Sequence, residues 1–189
     1  MALFRTEPPL GLPVTLGEAK AHMRVETCDE DGLIGDLIEV ATAHLESETG
    51  LALMTQGWRL TLDAWPDCGT VAIRRTPVQA VDAVTVYSSG GEPVDIDVSG
   101  AVLDGHERPA RFHVGRALAP ERALNGIEID FTAGFGDAAT DVPDALKRAI
   151  LLHVAHMHAF RGAVPVEAQP AGVPFGYERL IAPWRRRAL

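Results

Sequence analysis

The change from helical to strand periodicity in this chain falls within residues 30–62, which read EDGLIGDLIEVATAHLESETGLALMTQGWRLTL. Apolar side chains recur there at spacings of three and four as far as Leu45, which is the pattern of a helix with one buried face. From Trp58 onward apolar and polar residues alternate, as in a half-buried strand. Gly50 lies between the two patterns and favours the end of the helix. The sequence therefore predicts a helix over about 30–49 that is followed by strands.

Two further helices are predicted, one on each side of this stretch. Thr15-Leu16-Gly17-Glu18 is a capping box, in which a hydroxyl and a carboxylate satisfy exposed amides of the first turn. It predicts a helix over about 15–24. Asp141-Val142-Pro143-Asp144 combines a cap residue, a proline allowed in the first turn and a carboxylate, and it predicts a helix over about 142–161.

Short alternating segments between the second and third helices predict an antiparallel β insertion over about 56–133. The glycines of Ser88-Ser89-Gly90-Gly91 suit a hairpin turn there. The fold class predicted from these patterns is α+β: a small bundle of three main helices with an inserted antiparallel β unit, in one domain over 1–162. The predicted strands after the first are Val71–Arg74, Val81–Tyr87, Val94–Asp97, Arg111–Val114 and Ile127–Thr132.

The C-terminal residues differ in composition from the rest of the chain. Residues 163–176 contain three prolines and two glycines without periodicity, which is typical of an extended connector. Aromatic residues and arginines follow, and these types dominate interface hot spots. We predict an extended tail over 163–189 that docks into another subunit; the alternative is that it folds back and caps the chain's own core. The candidate binding residues are Phe175, Tyr177, Arg179, Leu180, Ile181, Trp184, Arg185, Arg186 and Arg187.

Composition and charge restrict the classes of function. The chain has 189 residues, a hydrophobic fraction of 47% and a net charge of −9, values that fit an ordinary globular protein of one or two domains. Residues 1–50 carry ten acidic and three basic side chains, which disfavours tight binding to nucleic acid. No apolar run is long enough to cross a membrane and no secretory signal is visible, so we expect a cytosolic protein with free thiols at Cys28 and Cys68. The acidic candidates on the second helix are Asp36, Glu39, Glu46 and Glu48.

One histidine cluster is the candidate for metal or acid–base chemistry. His153 and His156 share a face of the predicted third helix, because three residues advance about 300° around a helix, whereas His158 lies on another side. A regular helix therefore cannot bring all three rings to one ion. No nucleophile motif or phosphate-binding loop occurs, so we expect no catalytic residue, no metal and no cofactor; the alternative is a metal-dependent enzyme that uses His153 and His156.

The order of several motifs resembles that of a known family. Together they resemble the head–tail connector (adaptor) proteins of long-tailed bacteriophages and of phage-derived gene transfer agents. The resemblance covers nearly the whole chain and is weakest over about 81–125. The stretches that carry it are Thr15–Arg24, Asp29–Ile34, Glu46–Trp58, Arg75–Val81, Phe131–Gly136, Val142–Lys147 and Val173–Pro183.

The resemblance implies a structural protein without enzymatic activity. Proteins of this family form a ring, typically dodecameric, beneath the portal of a DNA-filled capsid. Their C-terminal segment attaches to the portal protein, the other end of the ring receives a stopper or tail protein, and double-stranded DNA passes through the lumen without sequence-specific binding. The implied location is the bacterial host cytoplasm during assembly and then the particle neck, with no membrane partner.

Three points stay open at the level of sequence. The acidic second helix faces either the lumen or a neighbouring copy in the ring. Another neck component, a stopper or tail-completion protein, is the alternative within the same class. A DNA-binding protein is disfavoured by the negative charge.

Overall fold

A computed structural model describes residues 1–115, 118–160 and 173–185. These residues form two compact units. Residues 1–10 and 55–135 make a β unit, and residues 11–54 with the described part of 136–189 make a helical unit. The α+β class is confirmed. The division differs from the predicted single domain over 1–162, because the N-terminal residues join the β unit as a strand and residues beyond 162 join the helical unit.

The helical unit contains the three predicted main helices, each within two residues of the expected bounds, and a short fourth one. Thr15 accepts a hydrogen bond from the Glu18 amide at 3.2 Å while Glu18 Oε2 accepts one from the Thr15 amide at 2.7 Å, so the predicted capping box is present. The described residues of the unit also contain two 3-10 helices, Ala139–Asp141 and Ala182–Trp184. The helices are α1 (Leu16–Met23), α2 (Asp31–Thr49), α3 (Asp144–Phe160) and α4 (Tyr177–Ile181).

The core of the helical unit lies between α2 and α3. The buried stripe predicted for α2 supplies one side, and a matching stripe of α3 supplies the other. Burial of each large aliphatic side chain stabilises the fold by about 1.5–3 kcal/mol. The α2 side consists of Ile34, Ile38, Ala41 and Leu45, and the α3 side of Leu146, Ala149, Ile150 and Val154, all with at most 1% of their surface exposed.

The β unit contains two antiparallel sheets. One has five strands in the order β1-β2-β8-β4-β5, and the other has three in the order β3-β7-β6. The strands are β1 (Ala2–Glu7), β2 (Gln56–Leu62), β3 (Thr70–Ile73), β4 (Val78–Tyr87), β5 (Pro93–Asp95), β6 (Val102–Asp104), β7 (Ala110–His113) and β8 (Ile127–Ala133).

The register of the larger sheet follows from the alternation in β2. Trp58 pairs with Phe131 and Leu60 with Ile129, so that the apolar side chains of both strands lie on one buried face. The predicted hairpin is also present. Tyr87 pairs with Pro93 across a turn in which Gly91 has φ +84°, a conformation that glycine adopts without a steric penalty.

The two strands that the sequence did not predict are β1 and β6. Five of the six β1 residues are exposed, because β1 has no buried apolar face of the kind that an alternating sequence produces. Its position depends on pairing with β2. Strand β6 has three residues and pairs with β7. Among the described residues, no helix combines the length and apolar character that crossing a membrane requires.

Candidate interaction surface of the helical unit

Helix α4 is packed onto the helical unit through two side chains. Tyr177 and Ile181 are one helical turn apart, and each has 0% of its surface exposed. Gly176 precedes them with φ +96°, which allows the chain to turn into the helix. We predicted that both residues would lie in a detached segment, but in the structure their side chains are buried against helices of their own chain. A single turn is too short to show helical periodicity, which is why the sequence did not reveal this packing.

The Tyr177 ring lies against two histidine rings. Its centroid is 5.6 Å from that of His153 on α3 and 6.0 Å from that of His44 on α2. The two histidine rings are themselves 5.0 Å apart and nearly perpendicular, an edge-to-face arrangement. We call these three rings the ring cluster, and its two histidines, His44 and His153, form the seat of α4.

Burial changes the titration of two members of the ring cluster. His153 is 8% exposed, and burial, followed by the nearby His44 and His156 rings, lowers its pKa below the ordinary 6.5, while Glu48 opposes the shift. Burial and then the negative charge of Glu48 raise the pKa of Tyr177. Within the described residues, His153 Nδ1 has no hydrogen-bond partner. The surroundings thus favour the neutral forms of His153 and Tyr177.

Arg185 connects the end of the α4 segment to α2. Its guanidinium pairs with the Glu48 carboxylate and lies 2.5 Å from Glu178 Oε2. The Arg185 side chain is 41% exposed, so solvent screens these ion pairs and limits their contribution to stability. Arg185 therefore acts within the chain. Arg186 and Arg187 lie outside the described residues.

The outer side of the α4 segment is the part of the predicted tail that remains accessible. Phe175 is 102% exposed and Arg179 is exposed, whereas Leu180 and Trp184 are half-buried. We call these four residues the outer tail face. An aromatic ring, an arginine and two further apolar groups are a composition typical of a binding surface.

The four acidic candidates of α2 divide into two pairs. Asp36 and Glu39 are exposed. Glu46 Oε1 accepts a hydrogen bond of 2.8 Å from the Leu53 amide, and Glu48 pairs with Arg185 and lies 3.5 Å from His44 Nε2. The C-terminal pair thus stabilises the helical unit itself, which leaves Asp36 and Glu39 for an external contact.

The predicted separation of the α3 histidines is present. His156 contacts Phe160 with ring centroids 4.9 Å apart, and His158 Nε2 lies 2.9 Å from Glu30 Oε2 at the start of α2. Across residues 1–115, 118–160 and 173–185, no three histidine, cysteine or acidic side chains are grouped to hold a metal ion. Cys28 and Cys68 are exposed free thiols.

Sequence reasoning missed the polar contacts that join α1 to the other helices. Lys147 Nζ lies 2.9 Å from Glu18 Oε1, and Lys20 Nζ lies 2.5 Å from Asp31 Oδ1. The Lys147 ammonium, together with the capping hydrogen bonds, lowers the pKa of Glu18 to about 2. The capping-box motif identified Glu18, but nothing in the sequence pointed to Lys147 as its partner.

The comparisons with known proteins agree with the resemblance. Residues 13–89, which include α1, α2 and the first strands of the β unit, match the model of the Phage gp6-like head-tail connector protein family. This chain is similar to head–tail connectors. The resemblance inferred from the order of the motifs is confirmed.

Solved structures extend the similarity to the whole chain. One match, with 29% identity and a TM-score of 0.82, is in a structure described as the neck of an empty GTA particle computed with C6 symmetry. A second, with 29% identity and a TM-score of 0.81, is in the virion of a native gene transfer agent (GTA) particle. A third, with 28% identity and a TM-score of 0.80, is in the neck of a native GTA particle computed with C12 symmetry. Each match covers 100% of this chain and 98% of the other. The search of curated proteins gave no match.

Proposed function

We propose that this chain is a structural head–tail connector in the neck of a gene transfer agent or phage particle, and that its copies form a ring, typically of twelve. The observation that carries the proposal is the similarity over the full length to chains of gene transfer agent necks, at 29% identity and a TM-score of 0.82. A match at this level over 98% of the other chain covers both units, so it does not depend on a single shared motif. Neither the family nor the matched neck structures suggest an enzymatic role.

The proposed partner of the α4 segment is the portal protein. The proposal assigns the contact to the outer tail face and to the arginines after Arg185, since Tyr177 and Ile181 are already buried in their own chain. Phe175 is the proposed anchor. Its ring is fully exposed. Insertion into a pocket of the portal would therefore bury more apolar surface than insertion of any other side chain of this segment.

The proposed ring leaves a lumen through which double-stranded DNA passes without sequence-specific binding. An acidic protein repels the phosphate backbone, which favours passage over retention. Asp36 and Glu39 line this lumen or contact a neighbouring copy. The far end of the ring receives a stopper or tail protein, and assembly takes place in the cytoplasm of the bacterial host.

Binding to the portal is the direct test of this function. We expect purified portal assemblies to retain the wild-type chain, and the combined Phe175→Ala and Arg179→Ala variant to bind at least tenfold more weakly, because both changes remove exposed groups of the outer tail face. Phe4→Ala, which truncates a partly exposed phenylalanine of the β unit, is the matched control. Equal binding of all three proteins would place the portal contact elsewhere. A particle neck without density for this chain would contradict the function itself.

A further inference from the structure

Several titratable groups lie around the buried His153 where α4 contacts its seat. His153 lies on α3, and the groups that act on its ring come from each element packed against it: His44 and Glu48 from α2, His156 from α3 and Tyr177 from α4. Glu178 and Arg185 of the α4 segment pair with each other and act on Tyr177.

A proton on His153 would have no adequate counter-charge in this seat. Of the two carboxylates nearby, Glu48 already pairs with Arg185 and lies 3.5 Å from His44 Nε2, and Glu178 also pairs with Arg185. The Nδ1 atom of His153 has no hydrogen-bond partner within the described residues. Because burial of an unpaired charge is costly, protonation must be accompanied by access to water.

Helix α4 is the element whose movement admits that water. It has five residues, and its contact with the seat includes the Tyr177 and Ile181 side chains and the exposed Arg185 ion pairs. In contrast, α2 and α3 are joined by a continuous apolar core. Separation of α4 from its seat thus disrupts fewer contacts than separation of α2 from α3.

We propose that the α4 segment is a proton-sensitive latch: a neutral His153 ring supports Tyr177 and keeps residues 177–185 docked, and a proton on that ring releases them. The latch goes beyond the proposed connector function, because it concerns the isolated chain and does not require a portal.

The direction of the pH effect follows from the lowered pKa of His153. When α4 is released the ring is exposed to water and titrates near its ordinary value of 6.5, whereas in the docked state it titrates at a lower pH. Docking is therefore fully stable above pH 6.5 and weakens as the pH falls from 6.5 toward the docked-state pKa. Tyr177 does not contribute in this range, since its pKa is raised above the ordinary 10.

Hydrogen–deuterium exchange of the full chain tests the latch. Protection factors of peptides that cover residues 177–185, corrected for the intrinsic exchange rate at each pH, are measured between pH 7.5 and pH 5.0. We expect them to fall severalfold as the pH drops below 6.5, because the released state binds the proton more tightly than the docked state. Peptides of the α2 core keep their protection over the same range.

Two variants decide whether His153 is responsible. His153→Gln is neutral at every pH and should abolish the pH dependence, while His106→Gln, which changes an exposed histidine of the β unit, should retain it. If His153→Gln fails to fold, His153→Phe keeps an aromatic ring in the seat without a titratable group. A constant protection factor in the wild type, or an unchanged pH dependence in the His153 variant, overturns the proposal. Since no portal is present, either result is independent of whether the chain is a connector.

Discussion

Lys147 Nζ lies 2.9 Å from Glu18 Oε1, although 129 positions separate the two residues in the chain. Glu18 is also the carboxylate of the capping box at the start of α1. The Glu18 side chain thus caps the N-terminus of α1 and also connects α1 to α3 through the ion pair with Lys147. Glu48 also connects two elements: it lies on α2 and forms an ion pair with Arg185 of the C-terminal segment.

Replacement of Glu18 by glutamine should lower the free energy of unfolding by about 0.5–1 kcal/mol at pH 7. Glutamine retains the capping hydrogen bonds but not the charge opposite Lys147, and the 40% exposure of Glu18 limits the loss. The pKa of Glu18 is lowered from 4.5 to about 2, so the ion pair stabilises the fold above pH 4.5 and is lost as the pH falls toward 2. Denaturant unfolding at pH 7 and at pH 2 should show a difference at the higher pH that vanishes at the lower. Glu39→Gln removes an equal charge from an exposed position of α2 and is the control.

Truncation of the α2 core should be far more costly than truncation of its surface. Ile38→Ala leaves a cavity between α2 and α3 and should cost about 2–5 kcal/mol, because Ile38 is 1% exposed. Val40→Ala, two positions along the same helix and 54% exposed, should change stability by less than about 0.5 kcal/mol. Thermal and denaturant unfolding measure both. Similar losses for the two variants would mean that the outer side of α2 is also packed.

Deletion of residues 177–189 should leave a folded chain of lower stability. The facing apolar stripes of α2 and α3 remain in the truncated chain, but the deletion removes the buried Tyr177 and Ile181 and exposes the surface that they cover. Circular dichroism should show that the other helices persist, and particle preparations should accumulate DNA-filled heads without tails. Complete unfolding of the truncated chain would show that the α4 segment is part of the core.

Trp184→Ala should weaken portal binding more than any single alanine change at Arg185, Arg186 or Arg187. The expected loss is about 2–4 kcal/mol, thirtyfold or more per contact, and it compounds around a ring through avidity. High salt should reduce the effect of the arginine changes further, since salt screens the attraction between charges across a solvated contact. Binding isotherms at two salt concentrations measure both effects. Arginine variants that bind the portal as weakly as Trp184→Ala would contradict this ranking.

The free chain should be a monomer or associate weakly, and the ring should form on the portal. The net charge of −9 makes identical copies repel one another until another surface offsets the repulsion. Light scattering of dilute protein should give the mass of one chain. A closed ring in the absence of portal would show that contacts between copies already outweigh the repulsion.

Sequence patterns were sufficient to predict the features that depend on local interactions. The 3.6-residue period of α2, the capping box at Thr15, the alternation from Trp58 and the turn at Ser88–Gly91 each depend on neighbours within a few positions, and all four are present in the structure. The resemblance to head–tail connectors was also visible in the order of short motifs, and the family model and the neck structures agree with it.

Which residues remain available for a partner depends on how the elements pack in three dimensions. Strand β1 has no apolar alternation and exists through its pairing with β2, and Tyr177 and Ile181 are buried because α2 and α3 offer a seat. Glu46 and Glu48 are likewise used inside the helical unit, whereas Asp36 and Glu39 on the same helix are not. The physical reason is that burial and ion pairing depend on what lies across space, and residues such as Glu18 and Lys147, 129 positions apart, meet only when the chain is folded.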